Sequence, residues 1–204
     1  MARYGTDHKE ATRRRLIATA GRRFKSDGFD GSGISTLVAD AGLTNGAFYG
    51  HFASKDDLIA NVVAEQLAAQ TARIAALPAG LASVEAFVGA YLSPAHRDDV
   101  AGGCPSAALL DEITRCDEAA RQAYTDGART LIAAVARLLD FGDEQDANAR
   151  AVGLFALLVA SLQAARAVTD SDLSDRILVA SHANAMTLAT APFPPSSSQD
   201  QDSK

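Results

Sequence analysis

A chain of 204 residues, 48% hydrophobic and 22% charged, has enough apolar material for one large domain or two small ones sharing an interface. Alanine and leucine dominate, tryptophan is absent, and no stretch alternates polar and apolar residues between hairpin turns; these features exclude a β-rich fold and point to an all-α one. The net charge of −6 hides a division, because residues 1–55 carry +4 and residues 56–204 carry −10. A basic segment suits phosphate contact, so an acidic chain as a whole does not exclude a nucleic-acid partner.

In chain order, a first helix is expected over residues 7–27, with Asp7 and Glu10 as a capping pair and Gly28 ending it. Leu16, Ile17, Ala20 and Phe24 make its inward stripe. Arg22 and Arg23 read as a solvated face, whereas Arg3 and the cluster around Arg13 could reach a phosphate or minor groove as an N-terminal arm. Residues 34–55, ISTLVADAGLTNGAFYGHFASK, then read as a short helix, a glycine-pivoted turn and a second short helix. Ile34, Leu37, Val38 and Ala41 give the first of these one buried stripe. Gly42 supplies the turn's unusual backbone angle, Leu43 plugs the turn into the core, and Thr44 caps the next helix through its hydroxyl. Holding a short helix proud of the body is what insertion into a DNA major groove requires. Phe48 and Phe52, four residues apart, read as core.

Ser54 is expected to cap a long helix reaching Ala76, with Asp56 and Asp57 in its first turn, and Pro78 and Gly80 break it. A helix from Ser83, a loop over residues 94–103, a helix from Pro105 to Thr114 and a longer one over 117–139 follow. Beyond a polar turn at 141–146, two more helices cover 146–168 and 172–190, and residues 192–204 form a proline- and serine-rich disordered tail. About nine helices result. The fifteen uncharged residues between Arg150 and Arg166 fall short of the roughly 20 that a membrane span needs and read as a buried helix. The polar start, MARYGTDHKE, lacks the apolar core of a leader, and together with only two cysteines it suits a reducing cytoplasm with no membrane partner.

The run AGLTNGAFYGHFASKDDL resembles the DNA-binding domain of the TetR family of bacterial transcriptional regulators, and the likeness extends back through Phe24 and Gly28-Phe29. Ser32-Gly33 stands where many members carry a threonine cap, a role open to Ser32. The resemblance implies that Thr44, Asn45, Gly46 and Ala47 face base edges or flanking phosphates. Asn45 has the chemistry to pair with an adenine, and Gly46 and Ala47 permit close approach to a thymine methyl. It further implies Tyr49 and His51 as backbone contacts, Lys55 as a phosphate anchor, and Ser35 and Thr36 at the groove wall. Plain surface decoration is the alternative for each polar residue, and Tyr49 resists it best. Residues 8–55 would form a helix-turn-helix DNA-binding domain with a connecting helix over 54–77, and residues 78–191 an effector-binding and dimerisation domain.

A twofold pair of such units would read a palindromic operator. The last two helices are apolar on nearly every face, and the resemblance implies that they form the dimer surface, through Phe155, Leu158, Leu162, Ile177 and Met186. It also implies a pocket for an unknown small-molecule effector, walled by Phe87, Tyr91, Leu109, Leu110, Ile113 and Tyr124, residues that would equally serve a bundle core. Gly103-Cys104-Pro105 is distinctive, since a cysteine at a helix start feels the positive end of the helix dipole, and the stretch resembles a subgroup with a Gly-Cys element at this helix. Cys104 is therefore a candidate sensor of electrophiles or oxidants within the effector region, with Cys116 as its partner. The alternative for Cys104 is a small buried apolar residue. The two cysteines and His8, His51, His96 and His182 show no ligand spacing, so no metal and no cofactor are expected. Without a phosphate loop, a metal-binding His-Glu motif or a nucleophile beside a base, an enzyme is not expected either. Two other classes stay open: a helical enzyme or binding protein with a vestigial helix-turn-helix, and a ligand-independent DNA-binding protein.

Overall fold

The computed structural model describes residues 2–139 and 144–190. Ten α-helices and no strands are found among these residues: α1 Ala2–Asp27, α2 Ile34–Asp40, α3 Asn45–Tyr49, α4 Lys55–Ala75, α5 Leu81–Tyr91, α6 Pro94–Asp98, α7 Pro105–Ile113, α8 Glu118–Leu139, α9 Glu144–Ala167 and α10 Ser171–Thr190. The expected tail, most of the polar turn and the side chain of Arg3 lie outside the described residues.

Local chemistry sets most boundaries. Ser54 accepts a hydrogen bond from the Asp57 amide (3.0 Å) while Asp57 accepts one from the Ala53 amide (2.9 Å), a reciprocal cap that starts α4. At the other end of α4, the Arg137 guanidinium donates to the carbonyls of Ala75 and Leu77, both at 2.9 Å, so a side chain from α8 satisfies acceptors that a helix end leaves open. Arg150 serves α10 in the same way, donating to the Leu188 carbonyl at 3.0 Å.

Three expectations fail here. Helix α1 already begins at Ala2, so Asp7 and Glu10 lie inside it and do not cap it. Ser32 is fully buried and does not cap α2; Gly33 takes that position without a side-chain bond. The expected loop over 94–103 contains the extra helix α6, which Ser93 caps by accepting from the His96 amide at 3.1 Å, with Pro94 at its first position.

Helix α1 packs on α2 and α4, and α2 packs on α3, forming a small N-terminal unit around Leu16, Phe24, Leu37, Phe48, Phe52 and Leu58. Helix α8 lies along α4 and also packs on α9, which pairs with α10. By length and composition alone residues 146–167 could cross a membrane, but Leu154, Leu158 and Leu162 of this helix are buried against the rest of the bundle. Helix α7 touches both α1 and α9, which ties the N-terminal unit to the remainder.

Candidate DNA-reading face and effector cavity

The turn between α2 and α3 is built as its sequence dictates. Gly42 has φ +65°, a left-handed conformation that a side chain would strain, and Leu43 returns its amide to the Val38 carbonyl at 2.8 Å. Thr44 occupies the cap position of α3, yet its hydroxyl makes no capping bond, contrary to expectation, and stays exposed. Phe48 and Phe52 are buried with ring centroids 5.7 Å apart, so the inner face of α3 is anchored by aromatic packing.

The other side of α3 is open. Ser35, Thr44, Asn45, Gly46 and Tyr49 are exposed, Thr36, Ala47 and Lys55 half-buried, and Tyr49 keeps 64% of its surface free although its ring rests edge-on against Phe48. An exposed tyrosine braced by a core ring presents its hydroxyl outward without a large loss of side-chain freedom on binding. His51 is only half-exposed, and its Nδ1 is buried without a hydrogen-bond partner among the described residues. Burial, with Lys9 and Arg13 nearby, holds its pKa below the usual histidine value, so at neutral pH it offers a neutral imidazole.

Arg13 is not the free arm suggested by the sequence. Its guanidinium donates to Asn61 Oδ1 and lies over the Phe52 ring, 5.3 Å from the centroid, locking α1 to α4 beside α3. Arg23 likewise pairs with Asp27 at 3.2 Å and Asp40 at 3.3 Å, bracing α1 against α2.

The second feature is a cavity of about 620 Å³ between α1, α4, α5 and residues 101–105. Of the expected effector residues it brings together Phe87, Tyr91 and Cys104. Ile113 and Tyr124 line a separate cavity of about 490 Å³ together with Leu110, and Leu109 is buried and lines neither. The larger cavity also takes in Arg22, Lys25, Gln70, Arg73 and His96, none of which the sequence reading assigned to it. Lys25 and Arg22 come from the helix that carries the N-terminal unit, so a molecule in this cavity would touch that unit directly.

The segment around Cys104 is tightly held. The Cys104 amide donates to His96 Nε2 at 3.0 Å, which makes that nitrogen the acceptor and puts the ring proton on Nδ1, 2.8 Å from the Tyr91 carbonyl. Burial also lowers the His96 pKa, in keeping with this neutral tautomer. A Cβ on Gly103 would come within 2.8 Å of His96 Nε2, so only glycine allows the approach. Cys104 does stand at the cap of α7, but only 4% of it is exposed, and its thiol donates to Gln70 Oε1 at 3.5 Å. Cys116 is a free thiol on the loop after α7; burial raises its pKa, and its own bond runs to the Glu112 carbonyl at 3.5 Å.

Two contacts join the N-terminal unit to the rest across large sequence separations. The Phe29 amide donates to Glu112 Oε2 at 2.6 Å, and Lys25 Nζ donates to the Gly103 carbonyl at 2.8 Å.

The expected dimer residues divide between surface and interior. Leu158 and Leu162 are buried within the protomer, and Phe155, Ile177 and Met186 are half-buried against its core. The large apolar side chains left outside on α9 and α10 are Val152, 53% exposed, Val179, 72% exposed, and Leu173, 37% exposed, with Ala156, Ala160 and Ala183 also exposed.

Comparison with known proteins matches this arrangement. The family "Bacterial regulatory proteins, tetR family" matches residues 16–62, which run from mid-α1 through the turn into α4. The HTH-type transcriptional repressor NemR of Escherichia coli K12 is 30% identical over 144 residues, covering 68% of this chain and 71% of the relative. The chain belongs to the TetR family. The crystal structure of the reduced form of E. coli NemR superposes with a TM-score of 0.73 at 26% identity, covering 86% of this chain and 95% of that one. A TetR-family transcriptional regulator from Agrobacterium tumefaciens shares the fold with a TM-score of 0.71 at 20% identity, over 86% of this chain and 98% of its own.

Proposed function

We infer that this TetR-family protein is a DNA-binding transcriptional repressor that acts in the cytoplasm as a homodimer on a palindromic operator and is released by a small-molecule effector or by modification of Cys104. The observation that carries the reading is the build of α3, anchored inward by Phe48 and Phe52 and offering Thr44, Asn45, Gly46 and Tyr49 outward. Asn45 and its small neighbours read base edges, while Tyr49, Lys55 and, on α2, Ser35 and Thr36 contact the backbone. His51, neutral and half-buried, contributes at most one hydrogen bond there.

Residues 8–55 form the reading domain, α4 connects it, and residues 78–191 supply effector binding and dimerisation. Pairing of α9 and α10 with a second copy would cover Val152 and Val179 and complete the burial of Phe155, Ile177 and Met186, with Leu158 and Leu162 as the packed layer behind. The larger cavity is the effector site, through Phe87, Tyr91 and Cys104. Tyr124 braces α7 from outside this site by donating to the hydroxyl of buried Ser106 at 3.2 Å, next to Pro105 of the lining. A reduced form is named for the E. coli relative, which favours keeping thiol modification beside ligand binding.

The repressor function is tested by gel retardation of the DNA flanking the gene, against an equal excess of unrelated duplex. Retardation that resists the unrelated competitor and weakens with salt is expected. Retention no better than that of the unrelated duplex would sink the repressor function. Iodoacetamide labelling of the folded protein separates the two release routes, because an inert Cys104 would leave only ligand binding.

A further inference from the structure

The large cavity has an uneven chemistry, although the exposed Asp99 acts on Lys25 from outside the lining. Three basic side chains line it, Lys25 inside and Arg22 and Arg73 at its exposed edge, and no aspartate or glutamate is among its lining residues. In a chain with 25 acidic and 19 basic residues, such a collection goes against composition. None of the three pairs with a carboxylate among the described residues, although Arg23, Arg97 and Arg129 all do. Lys25 is buried, and its ammonium has one hydrogen bond among these residues, to the Gly103 carbonyl. Burying a cation with a single neutral partner is costly, and burial accordingly draws its pKa down to about 8.

A second, independent observation comes from α5, which lines the same cavity. Tyr91 is only 7% exposed, and its hydroxyl oxygen, beside the Cys104 thiol, is buried with no hydrogen-bond partner among the described residues. A buried phenol without a partner is a donor waiting for an acceptor. Apart from Gln66 and Gln70 the rest of the lining is mostly apolar, with Phe87 the largest apolar member, its ring 6.1 Å from that of Tyr91. His96 adds no charge, both of its nitrogens being committed to backbone.

We propose that this cavity binds an amphipathic organic anion, a carboxylate or sulfonate on an aromatic or aliphatic body, with Lys25 and the Tyr91 hydroxyl holding the anionic head and Phe87 flanking the body. The proposal rests on the effector-site reading above and names the chemical class of that effector. Arg22 and Arg73 draw the anion to the mouth by long-range attraction. A volume near 620 Å³ far exceeds what an inorganic anion fills and suits a molecule with a substantial body. Because Lys25 lies on α1, the head group would contact the helix that carries the reading domain.

Calorimetric titration of the full-length protein tests this, with 2-naphthoate, its uncharged carboxamide and inorganic phosphate as probes. The carboxylate should bind about tenfold or more tightly than the amide, as expected for one charge-assisted contact in a desolvated site, and phosphate should not bind measurably. Lys25→Met should remove most of the preference for the acid while the amide is unaffected. Ala90→Trp, a substitution at an exposed position of α5 that lines the cavity, should abolish binding of both, with unchanged circular dichroism. Equal affinity for acid and amide, no binding of either by the folded protein, or binding that survives Ala90→Trp would each overturn the proposal. Retardation of the flanking DNA by the same preparation keeps the two ideas apart: its loss would sink the repressor function and leave an acid preference standing.

Discussion

The α2–α3 unit and the large cavity are assembled from opposite kinds of contact. In the first, every functional side chain sits within about two helical turns of the buried residue that positions it, as Tyr49 does beside Phe48. In the second, the defining pairs lie far apart along the chain: Lys25 meets Gly103, and Phe29 meets Glu112. A local site tolerates change at its tip but not at its anchor. A site made of distant pairs is sensitive at each junction and free to move between them. Four substitutions and one titration probe that contrast.

The largest effect is expected at the anchor. Phe48→Ala empties a fully buried ring position and should cost about 3–5 kcal/mol of stability in urea denaturation, with loss of DNA binding. By contrast, Tyr49→Ala acts at the tip. Stability should stay within roughly 0.5 kcal/mol, while affinity for all duplexes falls and the salt dependence changes little, because a neutral backbone contact is removed. If Tyr49→Ala destabilised the fold as Phe48→Ala does, the division between anchor and tip would fail.

At the junctions, Glu112→Ala removes the acceptor of the Phe29 amide and should cost about 1.5–3 kcal/mol, the usual range for a hydrogen bond to a charged group. Hydrogen exchange at Phe29 and along α7 should rise together; a rise at only one of them would deny that the two units are joined there. The smallest effect is a pH dependence. Burial above all, with Arg22 and Arg73 adding to it, lowers the Lys25 pKa to about 8, while Cys104 and Asp99 pull the other way. The folded protein therefore holds fewer protons than the unfolded chain between pH 8 and the ordinary lysine value of 10.5, so Lys25's contribution to stability should rise with pH across that window. Affinity for 2-naphthoate should fall across the same window and lose that fall in Lys25→Met.

The same contrast explains what could be read from sequence. The stripe of Leu37 and Val38, the glycine at the turn and the spacing of Phe48 and Phe52 are all local patterns, so the helix-turn-helix and most helix ends are legible in the sequence. Helix α6 was hidden because Pro94 and the glycines that follow resemble loop chemistry, whereas Ser93 and Pro94 in fact start a helix. Lys25 carries no local pattern that sets it apart from the other bases of α1. Only the packing of α1 against the segment before α7 buries it, and no spacing within a helix reveals a partner 78 residues away. Arg13 misled for the same reason, its partners Asn61 and Phe52 lying on other elements.

The central claim is that α3 reads bases rather than merely touching DNA. Fluorescence anisotropy of wild type and Asn45→Ala, on the retained flanking duplex and on an unrelated duplex at matched salt, tests it most directly. Specific affinity should fall by about tenfold or more, the worth of a bidentate base contact, while affinity for the unrelated duplex and the slope with salt stay unchanged. An equal loss on both duplexes, or no loss on either, would contradict it.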